Sequence, residues 1–114
     1  MDGIIELGEL LDWYGPLLTE RQQSIMAQYT GEDCSLSEIA EREGISRQGV
    51  HDTIVRAGQQ LKEYESCLGL VKKNRAQERL ARELNARVIA SRAAEEEKKQ
   101  LLSCLAAMES VWKS

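Results

Sequence analysis

The chain has 114 residues and a mass of 12.8 kDa, which suits one domain better than two independent hydrophobic cores. Hydrophobic residues make up 42% of the sequence, which excludes a wholly disordered chain, and 8 glycines with 1 proline favour helices over a loop-rich β fold. No apolar run approaches the roughly 18 residues of a membrane span, and no signal peptide is visible, so the sequence predicts a cytoplasmic protein.

The formal charge is unevenly distributed along the chain. The net charge is −4 and the isoelectric point is about 5.1, which counts against a strong non-specific nucleic-acid binder. Residues 1–66 hold 5 basic and 13 acidic side chains, whereas residues 67–114 hold 10 basic and 6 acidic ones. This asymmetry indicates either a polar partner surface in the second part or a solvated helix face.

The cysteines do not predict a metal site. Cys34, Cys67 and Cys104 lie too far apart to match a metal-ligand spacing, and the chain has only one histidine. We therefore expect reduced, partly buried thiols in a cytosolic protein, with no metal and no cofactor.

Three helices are predicted in the first part of the chain. Apolar residues at helical spacing predict helix one over residues 3–14, with Asp2 as its N-cap and Gly15-Pro16 after its end. Two capping boxes come next, at Thr19 with Gln22 and at Ser35 with Glu38. In a capping box, the hydroxyl of the first residue accepts the backbone N–H three residues later, and the side chain of that later residue accepts the backbone N–H of the first. The two boxes predict helices over residues 20–30 and 36–43.

The fourth predicted helix is longer and begins after Ser46, which can cap it. Gly69 marks its expected end. Its inner apolar stripe consists of Val50, Ile54, Ala57 and Leu61.

The C-terminal part from Leu70 onward contains neither proline nor glycine. One continuous helix there would be about 66 Å long, too long to fold on itself as a single rod. It must pack on a partner, break near residues 91–97, or project. We therefore divide the chain into a helix-turn-helix domain at 1–69 and a helical extension at 70–114, packed on the same domain or on a dimer partner.

The most specific pattern runs over residues 36–61. A small Ala40 permits close crossing of two helices, and Gly44 suits the positive φ of a tight turn. Ile45 and Val50 follow as apolar residues that fix the two helices together. This is the arrangement of a helix-turn-helix, whose second helix normally enters the DNA major groove.

The outward residues at the start of that second helix are the predicted nucleic-acid contacts. Arg47 suits guanine, Gln48 suits adenine, and Ser46 suits a phosphate, whereas Asp52 on the same face would repel phosphate. The alternative is a helix-turn-helix used only for structure or for protein docking. The full set of predicted contacts is Ser46, Arg47, Gln48, His51 and Arg56, with Arg75, Arg79 and Arg82 of the basic stretch from Lys72 to Arg92 as a second group.

His51 has two interpretations of its own. It either reads a base or contacts a phosphate, or it is simply a polar surface residue.

The sequence resembles two families. LTERQ at 18–22, LSEIAE at 36–41 and GISRQ at 44–48 resemble region 4 of bacterial sigma-70 factors, which binds a promoter element through its recognition helix. A closer resemblance, over about residues 7–70, is to the small YlxM-like family. It is carried by WYG at 13–15, LLT at 17–19, SLSEIA at 35–40, SRQGV at 46–50, LKEYE at 61–65 and LGL at 68–70.

The YlxM-like resemblance implies an all-helical, sigma-70 region 4-like fold and an accessory role. Members are small cytoplasmic bacterial proteins whose genes tend to neighbour that of the signal-recognition-particle GTPase. They are described as regulators of that particle's pathway. The candidate partners are therefore DNA through the recognition helix, the RNA of the particle, or the particle's GTPase.

Three functions remain open, and catalysis is not among them. The sequence has no phosphate-cradling glycine loop, no metal cluster and no nucleophile with an evident base. The alternatives are a DNA-binding regulator, an accessory subunit of the signal recognition particle, and a self-associating protein module. In the last, a homodimer would form through Leu101, Leu105, Met108 and Trp112, unless this stripe packs on helices one and two of its own chain.

Overall fold

The structure is a computed structural model that describes residues 3–113. This range contains helices and no strand, which confirms the predicted all-α fold. The helices are α1 (Ile4–Tyr14), α2 (Glu20–Thr30), α3 (Leu36–Glu43), α4 (Arg47–Leu68), α5 (Leu70–Ala90) and α6 (Glu95–Lys113), with a short 3-10 turn at Gly15–Leu17. Within this range, no helix is both long enough and apolar enough to span a membrane.

Local capping determines where α2, α3 and α4 begin. Both predicted capping boxes are present, with Thr19 bonded to Gln22 and Ser35 bonded to Glu38. As a result, α2 and α3 occupy the predicted residues. Helix α1 begins at Ile4 with Gly3 as its N-cap; the predicted cap Asp2 lies outside the described residues.

The chain divides into two compact units, one ending at Val71 and the other beginning at Lys72. In the first unit, two adjoining apolar clusters form the core. One joins α1, α2 and α4 through residues such as Leu10, Met26 and Leu61, and the other lies beneath the helix-turn-helix. The inner stripe predicted for α4 is confirmed, since Val50, Ala57 and Leu61 are fully buried and Ile54 is partly buried.

A buried hydrogen-bond network fixes the end of α4 in the first unit. Tyr14 is 1% exposed, and its hydroxyl donates to Oε1 of Glu65 while accepting from the backbone N–H of Leu70 at 2.9 Å. The same Glu65 oxygen accepts the N–H of Val71 at 2.9 Å. These two side chains therefore satisfy the first backbone donors of α5, which have no partner within the helix itself.

The second unit is a hairpin of two helices, because the C-terminal stretch breaks at residues 91–94. A break near these residues is one of the three alternatives that the sequence leaves open. At one end of the hairpin, the indole Nε1 of Trp112 donates to Oδ1 of Asn74 at 2.8 Å. At the other end, Nζ of Lys98 donates to the carbonyl of Ile89 at 3.0 Å.

Candidate nucleic-acid interface

Helices α3 and α4 form a helix-turn-helix in the first unit. Gly44 ends α3 in the left-handed conformation, with φ 70° and ψ 32°, as the sequence predicts. The hydroxyl oxygen of Ser46 then caps α4 by accepting the N–H of Gly49 at 2.9 Å. Ile39, Ala40 and Val50 are buried beneath the turn. The angle between the two helices is thus fixed by packing on both sides of the turn.

The start of α4 presents a polar face. Arg47, Gln48 and His51 are exposed and line one shallow pocket of about 440 Å³ together with Leu36 of α3. The structure therefore brings three of the predicted contact residues together. Because they lie in the first turns of α4, they occupy the part of a recognition helix that meets base edges.

Arg56 lies on a different side of the same helix. It lines a second pocket, of about 400 Å³, with Asp52 and Thr53 of α4 and with the first turn of α2. Arg21 of that turn is exposed and lines the same pocket. Sequence reasoning missed Arg21, because nothing in the sequence shows that α2 begins beside the middle of α4.

Asp52 forms contacts with its two neighbours on the polar face. Its Oδ1 accepts a hydrogen bond from Nε2 of Gln48 at 2.9 Å and lies 3.7 Å from Nδ1 of His51. The carboxylate therefore holds one amide hydrogen of Gln48 and lies beside the imidazole of His51. The amide of Gln48 therefore offsets part of the repulsion of phosphate predicted for Asp52.

Two acidic side chains of α3 are held by local hydrogen bonds. An oxygen of Glu43 accepts from Ser24 and from the buried Gln28, each at 2.9 Å, which ties α3 to α2. Glu38 accepts the N–H of Ser35, and this bond lowers the pKa of the Glu38 carboxyl. Both carboxylates thus have structural roles.

The second predicted group lies on α5 in the C-terminal unit. Arg75, Arg79 and Arg82 are all exposed. Their spacing of four and three residues places them on one side of the helix. They form a basic stripe on α5.

The described residues hold no group of three or more His, Cys, Asp or Glu side chains arranged to bind a metal ion. Cys34, Cys67 and Cys104 are free thiols. Cys34 is partly buried, but Cys67 and Cys104 are exposed, so the predicted partial burial is wrong for these two. Cys67 lies outside both core clusters of the first unit, and Cys104 lies on an exposed side of α6.

The fold and its turn place the chain among helix-turn-helix proteins, a class that is not usually enzymatic. A family model described as "UPF0122: Putative helix-turn-helix protein, YlxM / p13 like" matches residues 1–101. The chain therefore belongs to the UPF0122 family, and the predicted YlxM-like resemblance is confirmed.

Bacterial relatives named UPF0122 protein agree with this assignment. The relative from Desulforamulus reducens is 59% identical over 64 residues, which are 56% of this chain and 55% of that protein, so this match spans little more than half of either. The relative from Symbiobacterium thermophilum is 48% identical over 84 residues, covering 74% of this chain and 78% of that protein. The relative from Clostridium botulinum is 47% identical over 79 residues, covering 69% and 72%.

Proposed function

We propose that this protein is a cytoplasmic, non-catalytic accessory protein of the signal-recognition-particle pathway that binds nucleic acid through α4. The observation that carries the binding proposal is the shared exposure of Arg47, Gln48 and His51 at the start of a rigidly held recognition helix. The pathway rests on the YlxM-like resemblance of the sequence.

Each residue of the α4 face suits a distinct contact. Arg47 has a guanidinium for bidentate bonding to guanine, and the outer edge of Gln48 suits adenine. The backbone N–H groups at the start of α4, next to Ser46, suit a phosphate. Arg56 and Arg21 flank the face and suit phosphates on the same strand or the opposite one.

The basic stripe of α5 supports RNA as one form of the ligand. RNA helices are recognised mainly through shape, phosphates and 2′-hydroxyls, and Arg75, Arg79 and Arg82 suit phosphates. The RNA of the signal recognition particle is the ligand that combines this chemistry with the proposed pathway. The proposal also includes direct contact with the particle's GTPase and the formation of a homodimer by this chain.

The test of the α4 face is binding of Arg47→Ala and Gln48→Ala to duplex DNA and to signal-recognition-particle RNA. If the guanidinium makes a bidentate base contact, Arg47→Ala should weaken binding by about 1–3 kcal/mol. For duplex DNA, Arg92→Ala is the matched control, since it removes the same charge from the exposed segment between α5 and α6. Equal affinity of wild type and Arg47→Ala for both ligands would overturn the proposed role of α4.

The test of the α5 stripe separates RNA from DNA. Arg79→Glu with Arg82→Glu should abolish RNA binding and leave duplex DNA binding intact, whereas Arg47→Ala should spare an RNA complex that is held by α5. A double variant that binds RNA like the wild type would remove the stripe from the proposal.

A second candidate function, docking of a protein partner without nucleic acid, is favoured by a groove beside α4. This groove, of about 420 Å³, has an apolar floor that includes Leu7, Leu36, Ile54 and Val55. Val55 is 47% exposed. The acidic balance of residues 1–66 also suits a basic protein surface better than a nucleic acid.

Val55→Ser discriminates between the two functions, because it removes an apolar contact without adding a charge beside His51. A protein partner such as the particle's GTPase would lose affinity for this variant, whereas binding of nucleic acid to Arg47 and Gln48 would persist. Loss of GTPase binding by Val55→Ser, with no nucleic-acid binding by the wild type, would favour the docking function.

A further inference from the structure

The hairpin of α5 and α6 has an apolar groove that its own two helices leave open. Leu80 and Leu84 of α5 form one wall, and Leu105 and Met108 of α6 form the other, around a volume of about 420 Å³. Leu80, Leu84 and Met108 are 57%, 50% and 64% exposed. Apolar side chains that share one groove, unlike single exposed ones, indicate an interaction surface.

The hairpin has little core of its own. Among its described residues only Asn74, Ala81 and Leu105 are buried, and one of these is polar. Hydrogen bonds from Trp112 and from Lys98 join the two helices at their ends. Helices with an exposed apolar stripe reach stability in bundles by packing against further helices. We therefore expect the groove to be filled by further helices.

We propose that a second copy of this chain occupies the groove, so that two hairpins form a four-helix bundle. Lys73 on α5 and Glu109 on α6 both border the groove, and the residues between them are apolar or neutral. A two-fold axis parallel to the helices would set α5 of each copy beside α6 of the other. Lys73 of each copy would then face Glu109 of the other, so the surface is complementary to itself.

The basic stripe of α5 lies on the other side of the same helix. At about 100° per residue, Arg75, Arg79 and Arg82 point away from the side that carries Leu80 and Leu84. The bundle would therefore leave the basic stripes of both copies exposed. In this respect the inference deepens the proposed function, because a dimer offers a nucleic acid two basic stripes and two α4 faces.

The test is the mass of the full chain by sedimentation equilibrium, without nucleic acid, over a range of micromolar concentrations. A dimer should have twice the 12.8 kDa mass of the chain. Leu80→Glu would bury a charge in the bundle and should weaken the dimer by at least about 100-fold. The matched control is Ile89→Glu, because Ile89 is also on α5 and also 57% exposed but lies outside the groove. Circular dichroism checks that both variants keep their helices.

A charge exchange tests the arrangement of the two copies. Lys73→Glu and Glu109→Lys should each weaken the dimer by up to about fivefold, since exposed ion pairs contribute little. The double variant should restore wild-type affinity.

Three results would overturn the inference. The first is a wild-type chain that stays monomeric, as expected if another part of the same chain or an unrelated protein fills the groove. The second is a dimer that survives Leu80→Glu, and the third is a double charge variant that fails to recover. Because no nucleic acid is present, these results are independent of the test of α4.

Discussion

The two units of this chain differ in how completely they bury their apolar residues. In the first unit, Ile25, Met26, Val50 and Leu61 are fully buried. In the second unit, apolar side chains such as Leu80 remain half exposed. The first unit thus holds α4 in place with its own core, whereas the second unit has apolar surface left for a partner. The proposed recognition and the proposed association would therefore lie in separate parts of the chain.

The largest expected effect comes from removing a side chain from the first core. Leu61→Ala should reduce the free energy of unfolding by about 2–5 kcal/mol, because it leaves a cavity in a fully packed site. Ile89→Ala, in the second unit and 57% exposed, should change it by no more than about 0.5 kcal/mol. Urea unfolding followed by circular dichroism measures both. Similar losses for the two variants would contradict the contrast between the units.

A smaller effect is expected from the buried network at the end of α4. Tyr14→Phe removes a hydroxyl that bonds Glu65 and the N–H of Leu70, so it should cost about 1–3 kcal/mol. Tyr64→Phe is the control, because this partly buried ring lies 6.0 Å from that of Tyr14 but its hydroxyl is not part of the network. If both variants unfold like the wild type, the network does not stabilise the unit.

The same tyrosine predicts a pH dependence. Burial, and then the hydrogen bond to Glu65, raises the pKa of Tyr14 above its ordinary value of 10.0. The unfolded chain therefore loses this proton first as the pH rises, so the stabilisation by Tyr14 is complete below pH 10 and declines as the pH rises through the folded pKa. The difference in unfolding free energy between wild type and Tyr14→Phe should narrow above that pH. A difference that stays constant would contradict the burial of the ionisable hydroxyl.

The smallest of these effects concerns the start of α3. Ser35→Ala removes the oxygen that accepts the N–H of Glu38 and should cost about 1 kcal/mol. Ser37→Ala, an exposed change within the same helix, should be close to neutral. Thermal unfolding of the two variants measures the difference, and equal melting temperatures would show that the cap is dispensable.

The elements that sequence reasoning predicted well are those set by neighbouring residues. The capping boxes at Thr19 and Ser35 involve residues three apart, and the turn at Gly44 requires a conformation that glycine adopts easily. The few apolar residues after α5 make a break there one of the three alternatives that the sequence leaves open. These features depend on local chemistry, so they can be recognised without the fold.

The elements that were missed depend on contacts between distant residues. Tyr14 and Glu65 are 51 residues apart, and Asn74 and Trp112 are 38 residues apart. The sequence shows Trp112 as part of an apolar stripe, but its indole N–H bonds a buried amide. The position of Arg21 beside Arg56 is likewise set by the packing of α2 on α4, which no local pattern encodes.

The candidate contact face was predicted as a set of residues, but not as a surface. Helical spacing indicates that Arg47, Gln48 and His51 point outward, because Val50 must point inward. The separation of Arg56 into a second pocket, and the bond between Gln48 and Asp52, require the side-chain arrangement in three dimensions.

The most direct test of the central claim, that α4 binds nucleic acid, is a salt titration of binding by wild type and Arg47→Ala. Duplex DNA and signal-recognition-particle RNA should be titrated in parallel. We expect the affinity for at least one of them to fall linearly with salt on logarithmic axes, and to be weaker for Arg47→Ala throughout. Absence of binding to both ligands, or identical titrations for the two proteins, would contradict the claim and favour the protein-docking groove beside Val55.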